Sequence, residues 1–168
     1  MGLKRIRRFF KHWLTPPRHL HKHFSKSALQ RIEAAVKNSE ASHGGEIRVA
    51  IESSLRAGLI FENRTPRQRA LELFSLYRVW DTEHNNGVLL YLLLADRQVE
   101  IIADRGIHRI VGNEVWQRIC AEIEQAFKKG QFESGLLQGI QQIGALMEEH
   151  YPYCSDDENE LPNRPIII

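Results

Sequence analysis

Cysteine is scarce in this 168-residue chain. Cys120 and Cys154 are the only two, and they make neither a disulfide framework nor the paired spacing of a zinc site. Long hydrophobic runs are also missing. The longest wholly apolar stretch, Val88–Ala95, has eight residues, far short of the roughly 20 that a membrane span needs. The basic start is not followed by an apolar core with a cleavage site, so it does not read as a signal peptide. Gly2 is followed by Ile6 where a myristoylation pattern needs Ser or Thr. No G-x-x-x-x-G-K, G-x-G-x-x-G, G-x-S-x-G or D-x-D-x-D-G pattern occurs, which removes the common phosphate cradles, the nucleophile elbow and the EF-hand. Ser53-Ser54 has no evident base partner. What remains is ordinary for one soluble, cytoplasmic domain: 42% hydrophobic and 26% charged residues.

Acid is missing from one end. Residues 1–24 hold seven Lys/Arg and no Asp or Glu, so the other 144 residues carry 16 Lys/Arg against 21 acids. An acidic body with a basic arm argues against nucleic acid as the main ligand. In the arm, Leu3, Ile6, Phe9, Phe10, Trp13 and Leu14 recur at helical spacing, with Lys4, Arg5, Arg7, Arg8 and Lys11 mostly opposite. Two readings stand. The stripe binds an anionic surface at the inner face of the membrane, or it packs on the protein's own body. His12, His19, His21 and His23 read as solvated.

The rest of the pattern predicts elements in the order α-β-α-β-β-α-α. A helix over 25–42 buries Leu29, Ile32, Ala35 and Val36, with Ser25 or Ser27 as cap. Residues 46–52 alternate and read as a strand. Thr65-Pro66 starts a helix. Asn86-Gly87 signals a turn. Val88–Leu94 reads as a strand buried on both faces, hairpinned to a strand over 99–104. Two helices follow: one over 113–129, capped by Asn113, and one over 132–150. Residues 151–168 form an acidic tail that its three final isoleucines can dock. The expectation is an α/β class, three-layer α/β/α sandwich with a small mixed sheet, spanning 25–150 between the arm (1–24) and the tail.

A parallel pairing of the first two strands, with the hairpin returning the third, gathers Glu46, Asp81, Glu83, Asn85, Asn86 and Asp104 at one end of the sheet. Carboxylates and amide oxygens are the ligands of a hard cation, Ca²⁺ or Mg²⁺. Arg78, Arg105 and Arg109 are close enough in sequence to neutralise the acids without metal. On the plainest reading Asn85-Asn86-Gly87 is only a turn.

The segment His43–Glu52, the helix with Arg69-Ala70 and Phe74, and the stretch Asn85-Asn86-Gly87-Val-Leu-Leu, Asp96-Arg97-x-Val-Glu-Ile, Asp104-x-Gly106-Ile carry a resemblance. So does Phe127-x2-Gly130-x-Phe132-x2-Gly135-Leu with Gly139-Ile. Together, over residues 25–150, these resemble the TPM domain family, in its short bacterial branch. The resemblance implies an α/β/α sandwich and, as in some members, Ca²⁺ in an acidic cleft. It carries a metal-ligand role to Asp81, Asn86 and Asp104, and also to Glu46, Glu83 and Asp96. It further implies either an accessory module that meets a protein partner or a metal-dependent acid phosphatase. A metal-free structural adaptor is the third expectation.

Overall fold

The computed structural model describes residues 3–16, 18–154 and 159–168. Gly2 and the acidic middle of the tail (155–158) fall outside the described residues, as do the side chains of Leu3, Lys4 and His19. Among the described residues twelve elements follow one another: α1 (Leu3–Trp13), α2 (Arg18–His23), α3 (Lys26–Glu40), β1 (Glu46–Glu52), α4 (Ala57–Phe61), α5 (Pro66–Leu76), β2 (Gly87–Leu93), β3 (Gln98–Ala103), α6 (Arg105–Val111), α7 (Asn113–Lys128), α8 (Phe132–His150) and β4 (Ile166–Ile167).

The apolar run becomes β2, buried at every position. It sits inside a sheet of order β3-β2-β1-β4. β1 and β2 are parallel, in register from Glu46↔Gly87 to Glu52↔Leu93, joined through α4 and α5. β2 and β3 are antiparallel, with Arg97 in the left-handed region of their connection at φ 53°. Because side chains alternate along a strand, β1, β2 and β3 each feed two cores. Ile47, Val49, Ile51, Leu90 and Leu92 pack with Ile32 and Val36 of α3, Trp116 and Phe127 of α7, and Leu136 and Ile140 of α8. Ala50, Leu89, Tyr91 and Leu93 pack with Ile60 of α4 and Ala70 and Leu73 of α5. The fold is the three-layer α/β/α arrangement that the pattern predicts.

Local signals act as expected at two helix starts. The Ser25 side chain accepts from the Ala28 amide at 3.1 Å. Thr65 and Gln68 form a reciprocal capping box with Pro66 in the first turn. α2, α4, α6 and β4 have no counterpart in the predicted order, and two local readings change. Asn113 is the first residue of α7, not its cap. Gly112, at φ 80°, takes the cap position, because the short unforeseen α6 must turn sharply into α7 and glycine tolerates that backbone. And β1 is buried throughout rather than on one face. Its polar residues are covered by α5 and by the C-terminal tail. Glu52 receives a bidentate pair from Arg69 at 3.0 and 3.2 Å and a hydroxyl bond from Tyr91 at 2.8 Å.

The arm lies on the body. Leu20 and Phe24 enter the core beside α8, and Phe9 stacks on Phe61 of α4 at 5.5 Å. Asp96, in the hairpin turn, draws in the basic side of α1: Arg8 at 2.9 Å, Lys11 at 3.3 Å and His12 at 3.2 Å. His12 is itself buried. Its Nδ1 accepts from the Leu55 amide at 2.9 Å, which leaves the ring proton on Nε2, facing Asp96.

Candidate functional site

The loop between α5 and β2 is held by short-range chemistry. The Thr82 carbonyl accepts from the Asn85 amide and its hydroxyl from the Asn86 amide. Asn85 turns the chain at φ 52°, a conformation Asn tolerates better than most residues. Gly87 follows because nothing larger fits: a Cβ there would lie 1.9 Å from the Val79 carbonyl oxygen. A Cβ on Gly106 would lie 2.5 Å from the Asn85 carbonyl, which accepts from the Gly106 amide at 3.0 Å. The loop, the start of β2 and the start of α6 are thus pressed into one corner of the sheet.

Two side-chain oxygens in that corner are buried and have no hydrogen-bond partner among the described residues. One is Asn86 Oδ1. Asn86 is fully buried, and its Nδ2 donates to the Gly44 carbonyl at 2.7 Å, which fixes the amide and leaves the oxygen open. The other is Asp104 Oδ2. Asp104 Oδ1 caps α6 by accepting from the Arg105 amide at 2.7 Å, and the Asp104 amide donates to the Gly87 carbonyl at 2.8 Å. Buried polar atoms without partners are few in native folds, and each points to an ion, a water or a role. Burial and then the charge of Asp104 both raise the Tyr151 hydroxyl above its usual pKa, so Tyr151 borders the same corner.

The other predicted ligands lie elsewhere. Asp81 is exposed and faces Arg78 at 3.6 Å. Glu83 is exposed, and its amide donates to the Glu160 carboxylate. Arg105 Nε donates to Asn85 Oδ1 at 3.0 Å. Asp96 serves the arm. Glu46 faces the tail: its two oxygens accept from the Glu160 and Leu161 amides at 2.9 and 3.1 Å. Among the described residues no group of three or more His, Cys, Asp or Glu is placed to hold a metal ion. Asn86 Oδ1 and Asp104 Oδ2 are the side-chain oxygens that could hold a hard cation at this corner, and water or backbone carbonyls would have to complete its shell.

Glu46 belongs to a second acidic pair, whose other member, Glu40, was not foreseen. Glu40, at the end of α3, accepts from the Ile47 amide at 2.8 Å and from Asn163 Nδ2. Burial pushes its carboxyl up to about 8. Burial also raises Glu46. Together with Arg48, which donates to the Arg164 carbonyl at 3.3 Å, these residues clasp the tail against β1. A cleft of about 590 Å³ lies alongside, bordered by Lys37, Glu40, Glu46, Tyr153, Asn163 and Arg164. β4 then pairs parallel with β1 and closes what would otherwise be an open sheet edge.

The TPM domain model matches residues 20–146, which contain the whole sheet except β4 and the Asn86–Asp104 corner. The chain belongs to the TPM domain family. Solved TPM-like structures resemble it. The BA42 protein of the psychrophilic bacterium Bizionia argentinensis is 29% identical, with a TM-score of 0.76 over 86% of this chain and 95% of that one. An N-terminal domain from P. gingivalis (20%, TM-score 0.62, covering 78% and 82%) and the N-terminal domain of cg2496 from Corynebacterium glutamicum (17%, TM-score 0.54, covering 74% of each) share the fold. Comparison with curated proteins gives no match. The TPM domain match begins at residue 20 and ends at 146, so α1 and the strand β4 lie outside it.

Proposed function

We propose that this TPM domain is a binding and accessory module that takes one hard divalent cation, Ca²⁺ by preference, at the Asn86–Asp104 corner. The supporting observation is the pair of buried, unpartnered oxygens, Asn86 Oδ1 and Asp104 Oδ2. An amide and a carboxylate oxygen suit Ca²⁺ or Mg²⁺ rather than a softer metal. Asn86 is positioned by Gly44 and Thr82, and Asp104 by the first turn of α6, so both oxygens are held before an ion arrives. With only two side-chain ligands the affinity belongs at the weak end for Ca²⁺, on the order of 10⁻⁴–10⁻³ M. When bound, the cation neutralises Asp104 and ties β2, β3 and α6 together.

Thermal unfolding tests this reading. An ion that binds only the folded chain stabilises it by about 1.4 kcal/mol at ten times its Kd, or roughly 3–5 °C in Tm for a chain of this size. Ca²⁺ at 10 mM is expected to give that rise, and Asp104→Asn, which keeps a cap for α6, is expected to abolish it. No rise in the parent chain overturns the cation. Hydrolysis of a phosphomonoester that needs Ca²⁺ and is lost in Asp104→Asn overturns the accessory role in favour of a phosphatase.

A further inference from the structure

α1 is docked the wrong way round for a helix that only covers its own protein. Such a helix turns its apolar stripe inward. Here the inward side carries Arg8, Phe9 and His12. Ile6, Phe10, Trp13 and Leu14, at i, i+4, i+7 and i+8, form the outward side and are 38, 50, 70 and 68% exposed. Phe10 and Trp13 pack edge to face at 6.4 Å. Arg5 and Arg7 are exposed on the same helix, and Arg18, Lys22 and Lys26 are exposed just beyond it. The first 24 residues contain no acid.

We propose that this outward face of α1 docks on an anionic lipid surface, lying in its plane with Ile6, Phe10 and Leu14 below the headgroups and Trp13 at their level. The charge pattern selects the occupant. A negative plane matches a stripe bordered on its own helix and on α2 by cations alone. A second copy of the chain would bring two such basic faces together. Tryptophan at the edge of the stripe suits the headgroup region, where its ring is apolar and its N–H stays wet. Asp96 is what makes this geometry rigid. It takes Arg8, Lys11 and His12 from the other side of the helix, so α1 keeps its apolar side outward before any lipid is met.

Flotation of the purified full chain with vesicles tests this. Vesicles of phosphatidylcholine with 30% phosphatidylglycerol are expected to carry the protein; vesicles of phosphatidylcholine alone are not. Phe10→Ser with Trp13→Ser is expected to weaken binding at least about tenfold, with the circular dichroism spectrum and Tm unchanged. Arg5→Gln and Arg7→Gln, both at exposed positions, are each expected to weaken it about fivefold, and 0.5 M salt is expected to weaken the parent chain. Three results overturn the proposal: no binding to anionic vesicles, equal binding to both vesicle types, or undiminished binding by both sets of variants. A concentration-dependent dimer that Phe10→Ser with Trp13→Ser dissolves also overturns it, by making a second copy the occupant.

Discussion

Asn86 Nδ2 donates to the Gly44 carbonyl at 2.7 Å. That bond joins the turn before β2 to the turn before β1 and dictates which end of the Asn86 amide stays open. Replacing Asn86 by Leu removes the donor, leaves the Gly44 carbonyl short of a partner and deletes the candidate cation ligand. Loss of one such buried bond costs about 1–3 kcal/mol, measured as a lower denaturant midpoint. Asn86→Asp keeps an oxygen but not the donor. It is expected to lose stability by a similar amount without added ion and to regain part of it in Ca²⁺. Equal stability of Asn86→Asp with and without Ca²⁺ would count against a cation at this corner.

Glu52, Arg69 and Tyr91 form the second buried relationship. The Glu52 side chain is only 2% exposed, so its charge depends on Arg69. Arg69→Leu strands that carboxylate and is expected to destabilise by about 3–5 kcal/mol. Tyr91→Phe removes one neutral donor and is expected to cost about 1–2 kcal/mol. Glu52→Leu with Arg69→Leu replaces the pair by apolar groups and is expected to recover most of the Arg69→Leu loss. Urea unfolding of the single and double variants reads the coupling; additive losses would contradict it.

The tail clasp has a predicted sign with pH. Burial raises Glu40 from the ordinary carboxylate value of 4.5 to about 8, and raises Glu46 as well. Over that window the folded chain holds more protons than the unfolded one. Stability from these groups is therefore full below about pH 4.5 and falls as pH rises toward 8. The tail is where it falls. Hydrogen exchange at the Ile47, Glu160 and Leu161 amides is expected to speed up, beyond the intrinsic base dependence, between pH 6 and about 8. Glu40→Gln is expected to remove most of that change. Exchange protection that is flat across this range would contradict the clasp as described.

The arm responds in the opposite sense. Burial alone would raise Asp96, but His12 and Arg8 outweigh it and hold its carboxyl below the usual range. That stability is present above about pH 4 and is lost as pH falls toward the folded-state value. Asp96→Ala is expected to release α1 at neutral pH, seen as faster exchange of the Leu55 amide, whose acceptor is His12 Nδ1. Unchanged protection at Leu55 would mean that Phe9 on Phe61 holds the helix by itself.

Strong local signals made most of the fold legible. An unbroken apolar run has one comfortable place, the middle of a sheet, and β2 is there. Thr65-Pro66-x-Gln68 carries its own capping geometry, and α5 starts where it says. The shorter α6 carries only a weak signal, since Asp104, which caps it, also fits a ligand role. The candidate site was legible in part. Asn86 and Asp104 fell together because the strand topology puts them at one corner. Asp81 and Glu83 belong to the same stretch of sequence but stay exposed on the loop. The tail contacts of Glu46 and Glu40 were opaque for a different reason. What buries them is the tail, more than 110 residues later, and no local pattern encodes that contact. The orientation of α1 was opaque for the same reason: Asp96 is 88 residues from Arg8, and it outweighs the apolar stripe in deciding which side faces inward.

The most direct test of a cation at the Asn86–Asp104 corner is an amide NMR titration of the full chain with Ca²⁺ and then Mg²⁺, each to 10 mM. Saturable shifts are expected, confined to Gly44–Gly45, Thr82–Gly87, Asp104–Ile107 and Tyr151, reversed by a chelator and absent in Asp104→Asn. Shifts that instead follow Asp81, Glu83 and the tail acids without saturating would be surface charge screening, and would contradict a cation held by Asn86 and Asp104.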